Sequence, residues 1–280
     1  MAEEPGFRPG KVYEDMVASI DVEDCSAQSW RKRSRQRLLK MHFESGVGHI
    51  GGNLSCLDIL LEIFHERMVG DDQFVLSKGH AAGALYVTLW SKGLLSEGAL
   101  ETFHRDGTLL SGHPPAFGVP GVSFATGSLG HGLSLAAGLA LSRRWLGGQS
   151  QVYCLTSDGE WNEGSMWESL IFASHQGLNN LCVIVDQNGL QGFGSTKEVA
   201  DLSPLADKFR SFGLTVLCVD GHGHPILPEA GAIPSHQGPL IVLAQTVKGK
   251  GVSFMENRME WHYLPLKAEQ YGQACLELEQ

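Results

Sequence analysis

The stretch from Ser157 to Leu190 constrains this chain more than any other. It reads Ser157-Asp158-Gly159-Glu160, then a helical segment, then an apolar strand that closes on Asp186-Gln187-Asn188-Gly189-Leu190. An acid therefore stands just past one strand and an amide just past the next. Asp-Gly and Asn-Gly are also ordinary turn dipeptides, so either one alone says little. Delivered together to neighbouring strand ends, the two oxygen side chains can meet one hard divalent cation. Magnesium takes only one or two such ligands from protein side chains and fills the rest of its octahedron with phosphate and water. The acidic run Glu160-Trp161-Asn162-Glu163-Gly164 adjoins the pair. The expected metal ligands are Asp158, Asn188 and the backbone carbonyl of Leu190.

Elsewhere, strand and helix patterns alternate. Valine-rich, fully apolar runs predict strands at 71–76, 151–156, 181–186, 214–220 and 240–245. Between and before them, helices are predicted from Ser26 or Ser29 to 44, over 55–64, from His80 to about 93, and over 133–145, 166–175 and 204–212. A weaker helix is predicted near 226–232. Residues 46–53 read as a glycine-rich turn, and about 106–123 as a loop rich in Gly and Pro. Buried strands alternating with helices predict an α/β fold, a doubly wound parallel sheet with helices on both faces. Residues 1–26 read as a polar N-terminal arm and 27–280 as one domain. Ligands of such sheets bind beyond the carboxyl ends of the strands. His80, Asp158, Asn188 and Lys248 each follow a predicted strand, and Gly127–Gly132 precedes a helix whose free N–H groups suit phosphate.

Charge and cysteine usage narrow the partners. With 21 basic and 31 acidic residues the net charge is −10, which argues against nucleic acid or an anionic membrane as the main partner. The basic run Arg31-Lys32-Arg33, with Arg35 and Arg37, reads as the solvated face of a helix whose apolar side carries Trp30, Leu38 and Met41. None of the six cysteines has C-x-x-C spacing, so zinc chemistry is not indicated. No signal peptide or membrane span is visible, and a reducing cytoplasm is the expected compartment.

Four motifs resemble transketolase. They are Asp-Gly-Glu-x-x-Glu-Gly-x-x-Trp-Glu at 158–168, Phe-Val-Leu-Ser-Lys-Gly-His-Ala-Ala at 74–82, Ala-Thr-Gly-Ser-Leu-Gly at 125–130, and Lys248-Gly249-Lys250-Gly251 followed by Trp261-His262. They run in family order over about 45–265, the N-terminal, diphosphate-binding part of a full-length family member. The resemblance implies thiamine diphosphate held through Mg2+ (or Ca2+ or Mn2+) on the three ligands above. The Gly159 N–H, Glu160, Asn188, Lys248, His262 and His80 would form the cofactor site, and Gly127, Ser128 and Leu129 would flank the aminopyrimidine. His49, His80, His113 and His262 sit in loops punctuated by Gly or Pro at family-matching positions. A neutral imidazole can relay protons near pH 7 and bind sugar hydroxyls, so these four are the catalytic candidates. The remaining histidines read as ordinary. His42, His65 and His104 are expected at the surface, and His222 and His224 in a turn rather than a metal clip.

Three departures from the family pattern stand out. Ser157 replaces the first glycine of Gly-Asp-Gly, His131 a common glutamine, and Ile50 a frequent proline. The family's activating glutamate belongs to a second, pyrimidine-binding domain. The resemblance therefore implies a split enzyme in which a C-terminal subunit supplies that domain and its glutamate, in an α2β2 assembly. Trp161, Trp167 and the helix over 133–145 are candidates for the face it covers, or for core. The implied reaction moves a two-carbon ketol unit from a ketose to an aldose. A decarboxylating ketol or acyl transferase and a non-catalytic cofactor-binding subunit remain open.

Overall fold

The computed structural model describes residues 27–227 and 237–279, with side chains from residue 30 onward. The predicted arm, Cys25 and most of the weaker helix near 226–232 lie outside the described residues. Ile226 and Leu227, at that helix's expected start, lie in a bend with buried side chains.

Five strands form one wholly parallel sheet: β1 (Gln73–Leu76), β2 (Val152–Ser157), β3 (Leu181–Gln187), β6 (Thr215–Asp220) and β7 (Leu240–Gln245). Their order across the sheet is β1-β2-β3-β7-β6, so β7 is inserted between β3 and the edge strand β6. A two-residue hairpin, β4 (Leu190–Gln191) with β5 (Gly194–Ser195), follows β3. The helices are α1 (Ala27–Ser45), α2 (Ile50–Glu62), α3 (Ala82–Ser91), α4 (Glu97–Leu100), α5 (Gly132–Trp145), α6 (Gly164–His175), α7 (Thr196–Ala200), α8 (Leu205–Ser211) and α9 (Ala268–Glu279).

Alternation along each strand divides the interior into two cores. Leu76, Leu155, Ile184 and Val242 face α1, α2 and α3. Val75, Cys154, Val183, Val185 and Ile241 face α5, α6 and α8. Both faces of the sheet are therefore covered, as strands apolar on both sides require.

Two expectations need correction, and one open alternative is resolved. First, α2 starts at Ile50 rather than Ser55, so Gly51 and Gly52 are helical. A Cβ on Gly51 would lie 3.1 Å from the Trp261 Cβ and 3.2 Å from the Lys248 side chain. Gly51 thus serves close packing, at the usual helical cost. Second, the basic run is not a solvated face. Arg35 pairs with the buried Asp58, Arg31 lies 3.9 Å from Glu62, and the buried Arg37 pairs with Glu97 at 2.6 Å. Only Lys32 and Arg33 of that run are exposed. Of the two places left open for Trp161, the structure takes the core. It is fully buried, and its ring lies 4.5 Å from that of Phe209 and 5.2 Å from that of the half-buried Trp167. Trp145, at the end of α5, is exposed.

Close backbone approach positions the loops at the carboxyl edge of the sheet. A Cβ at Gly79 would lie 2.7 Å from the Gly127 nitrogen and the Thr126 carbonyl carbon, so the loops after β1 and before α5 touch only because residue 79 has no side chain. Gly79→Ala is expected to cost about 1–3 kcal/mol of stability, read as a lower urea midpoint at unchanged slope.

Candidate active site

The carboxyl ends of β1, β2, β3 and β7 open into one cleft of about 280 Å³. His49, His80, His113, Gly127 and Leu129 border one part of it, and Asp158, Gly159, Asn188, Leu190, Lys248 and His262 the other. Of the residues expected here, Ser128 and Glu160 do not line it. Glu160 is fully buried, where its carboxylate accepts hydrogen bonds from the Ser77 hydroxyl and from the N–H groups of Gly130 and Ser157, both at 3.0 Å. It braces the loop beneath the site.

Asp158 and Asn188 meet in one corner. Asp158 accepts the Gly159 N–H at 2.8 Å and the Gly189 N–H at 2.6 Å. The Asn188 carbonyl oxygen accepts the Leu190 N–H at 3.1 Å. Burial, and then the charge of Asp186, push the Asp158 carboxyl up to about 6. The Lys78 charge offsets only part of this, and a divalent cation would supply the remaining positive charge for an ionised carboxylate. The acid, the amide and the Leu190 carbonyl form an all-oxygen donor set of the kind hard cations take, so the corner fits the implied metal.

A wall of hydrogen-bond donors faces this corner. The Lys248 ammonium lies 3.0 Å from His262 Nδ1 and 3.4 Å from the Leu190 carbonyl. An ammonium can only donate, so His262 Nδ1 accepts and its proton sits on Nε2. Burial, followed by the charge of Lys78, lowers Lys248 to about 8, while burial and Lys248 lower His262 to about 3. Deeper still, Lys78 and Asp186 form a fully buried ion pair. Lys78 also donates to the Gly52 carbonyl at 2.9 Å. Asp186 accepts from the hydroxyls of Ser55, at 2.6 Å, and Thr246.

The four histidines cluster. The ring of His49 lies 5.2 Å from that of His262, 5.6 Å from that of His80 and 6.2 Å from that of His113, and His80 lies 5.4 Å from His262. Burial depresses all four below the ordinary imidazole range, most strongly His80 and His262. They are neutral at pH 7 and can both donate and accept. His49 caps α2 in the left-handed conformation, with φ of 65°. Its N–H donates to the His262 carbonyl at 3.1 Å. Its own carbonyl accepts from the Asn53 amide at 2.8 Å, and the same amide donates to the His80 carbonyl at 3.1 Å. The Asn53 oxygen accepts the Ala84 N–H at 2.7 Å. Asn53 therefore ties the two histidine loops together.

Residues 45–277 match the family described as transketolase, thiamine diphosphate binding domain. The chain is 38% identical over 272 residues to an apulose-4-phosphate transketolase subunit of Phocaeicola vulgatus, covering 93% of this chain and 96% of that protein. This chain belongs to the transketolase family. It is also 38% identical over 245 residues to a 6-deoxy-6-sulfo-D-fructose transketolase subunit from a Clostridium species, covering 84% and 89% of the two chains. The solved transketolase of Leishmania mexicana superposes with a TM-score of 0.82 at 25% identity, over 92% of this chain and 42% of that one. The chain thus corresponds to the N-terminal, thiamine diphosphate-binding part of a transketolase.

Several residues bordering this transketolase cleft, or supporting it, carried no role in the sequence. Lys78 sits inside a recognised motif and Asp186 two residues before Asn188, but only the fold shows that they pair. Asn53 lies in a helix and had no signal. Gln191, Gly192, Phe193 and Tyr263 border the cleft from the hairpin and from the segment after His262. His42, expected at the surface, is instead buried, with Nε2 unpartnered, and burial lowers it to about 4. His222 donates from Nδ1 to Asp58 at 2.8 Å and accepts the Val247 N–H at 2.9 Å, so it holds a turn rather than a metal.

Two measurements follow from this geometry. Asn53→Ala leaves the His49 and His80 carbonyls and the Ala84 N–H without that partner, and is expected to lower stability by about 1–3 kcal/mol in urea denaturation. The buried His42 has a folded-state pKa near 4, below its unfolded value near 6.5. Below pH 6.5 the unfolded chain takes up protons that the folded chain refuses. Stability should therefore fall as pH drops from 6.5 to 4, with His42 contributing up to roughly 3 kcal/mol. A urea midpoint that stays flat across that window would contradict buried neutral imidazoles.

Proposed function

We propose that this chain is the diphosphate-binding subunit of a two-component, thiamine diphosphate-dependent transketolase that moves a two-carbon ketol unit from a ketose to an aldose. The observation that carries the reading is the convergence of an oxygen donor corner, a cationic donor wall and a four-histidine cluster on one cleft. The likeness to relatives of similar length that are themselves named as transketolase subunits supports the division into two chains.

In this reading Asp158, Asn188 and the Leu190 carbonyl hold Mg2+ or another divalent cation. Lys248, His262 Nε2–H, His80 and the Gly159 N–H hold the diphosphate. The Gly159 N–H is now closed on Asp158 and must be released for this. Gly127, Ser128 and Leu129 flank the aminopyrimidine, with Ser128 acting through its backbone. Thiamine diphosphate supplies the electron sink for breaking a carbon–carbon bond beside a carbonyl. His49, His80, His113 and His262 orient the sugar hydroxyls and carry protons to and from them. Their depressed pKa values keep them neutral, so His49, His80 and His113 offer a lone pair at physiological pH, while His262, with Nδ1 taken by Lys248, donates from Nε2.

The proposed partner is a C-terminal subunit that contributes the pyrimidine-binding domain and its glutamate in an α2β2 assembly, around ketose and aldose substrates. The five free cysteines of the described residues fit a reducing, cytoplasmic setting.

Asp158→Ala is expected to abolish metal-dependent binding of thiamine diphosphate, measured by calorimetric titration of the complex purified with its partner. Unchanged binding would remove Asp158 from the metal site. The wild-type complex should cleave a ketose donor and pass two carbons to an aldose acceptor, and failure with every phosphorylated and free ketose would end the sugar assignment.

A further inference from the structure

Tyr263 stands at the mouth of the cleft, directly after His262, and two glycines make room for it. A Cβ on Gly48 would run into the Tyr263 carbonyl, so the backbone at residue 263 seats against the turn before α2. A Cβ on Gly192 would collide with the Tyr263 hydroxyl, and the same point lies 3.5 Å from His262 Nε2. The ring packs edge-on to His262, with centroids 4.7 Å apart. Tyr263 is thus held at both its backbone and its phenol. Its side chain is nevertheless 54% exposed, and no group among the described residues hydrogen-bonds its hydroxyl.

The neighbours of that hydroxyl define the chemistry it can meet. Lys248 is an ammonium, and its hydrogen bond to Nδ1 leaves His262 presenting Nε2–H. The Leu190 carbonyl on the same wall already accepts from Lys248. Two donors therefore point from this wall into the cleft, and a phenol adds a third. Three donors around one opening suit an oxyanion with several lone pairs and repel a cation or a group with only N–H to offer.

We propose that the Tyr263 hydroxyl is a further binding group for the cofactor diphosphate, donating to a phosphate oxygen beside Lys248 and His262. This rests on the cofactor reading above and adds a residue to it. Gly192 is part of the same device, because a side chain there would displace the phenol. The hairpin between Leu190 and Ser195 thereby acts with the segment after Trp261 to close over the phosphate end of the cleft.

The test is Tyr263→Phe, which removes one oxygen from a half-exposed ring and leaves the packing against His262 in place. Thiamine diphosphate with magnesium is titrated calorimetrically into the complex of this chain with its co-purified partner. Inorganic pyrophosphate with magnesium is titrated in parallel. The variant is expected to bind both about 10- to 100-fold more weakly than wild type, the range for losing one hydrogen bond to a charged acceptor. Equal affinity for both ligands overturns the inference. A loss confined to thiamine diphosphate also overturns it, because the hydroxyl would then serve the organic part of the cofactor. Failure of the wild-type complex to bind either ligand removes the cofactor reading itself, a result distinct from normal wild-type binding with an indifferent variant. Gly192→Ala provides the second measurement and should weaken binding in the same direction.

Discussion

The buried pairing of Lys78 with Asp186 is the interaction on which the rest of the site depends. Two charges taken out of water are stable only when each finds further hydrogen bonds. Here Lys78 also reaches the Gly52 carbonyl, and Asp186 gathers the Ser55 and Thr246 hydroxyls and the Asn188 amide, the last at 3.3 Å. One ion pair therefore joins α2 to the ends of β1, β3 and β7. Those same elements carry His49, His80, Asn188 and Lys248. An apolar pair of similar volume would pack as well, but it would not fix four backbone segments by direction. The pair also sets local charge. Burial is the larger cause of each shift, and on top of it the ammonium lowers His80 and Lys248 while the carboxylate raises Asp158 against the opposing pull of Lys78. The cleft thus holds neutral imidazoles at one end and a buried acid with a raised pKa at the other.

That polarity is built on a sheet whose two faces are spent on cores, which leaves its carboxyl edge as the place where loops meet. The loops meet at backbone range because Gly79 faces Gly127, Gly51 faces Trp261, and Gly48 faces Tyr263. His49 shows the local cost of this crowding. A non-glycine residue with φ of 65° is strained, and it persists where the surroundings over-determine it. Its N–H is tied to the His262 carbonyl and its carbonyl to Asn53. The imidazole is consequently aimed by its backbone before any ligand arrives.

The large features of this architecture were legible in the sequence because their signals are local. Strands apolar on both faces gave the parallel sheet, the strand ends gave His80, Asp158, Asn188 and Lys248 a common edge, and the resemblance to transketolase added His49, His113 and His262. Features whose cause lies far along the chain were not legible. Ser55 finds Asp186 across 131 positions, and Asn53 finds the His80 carbonyl across 27. The glycines at 51 and 52 looked like a turn because nothing nearby announces that Trp261 will press on Gly51. The arginines of α1 looked solvated because Asp58 and Glu62 come to them from another helix. Helix α9 was not foreseen at all, although its Tyr271 ring stacks on Phe43 of α1 at 4.4 Å. Glu160 was misplaced for the opposite reason. Its motif is strong, but the turn after β2 points its carboxylate down toward Ser77 rather than out.

The fate of Glu160 bears on how such a cleft is completed. Its carboxylate already accepts three hydrogen bonds from Ser77, Gly130 and Ser157, and burial raises its pKa. Asp158, which borders the cleft, accepts the Gly159 and Gly189 N–H groups in the oxygen-donor corner. Neither acid is free to hydrogen-bond a pyrimidine ring without dismantling the loop it supports. The proposed chemistry needs a carboxylate of its own at the ring end, aimed across the cleft from outside these loops. A second polypeptide docking over Gly127 and Leu129 would meet that requirement and leave the corner, the donor wall and the histidine cluster as they stand.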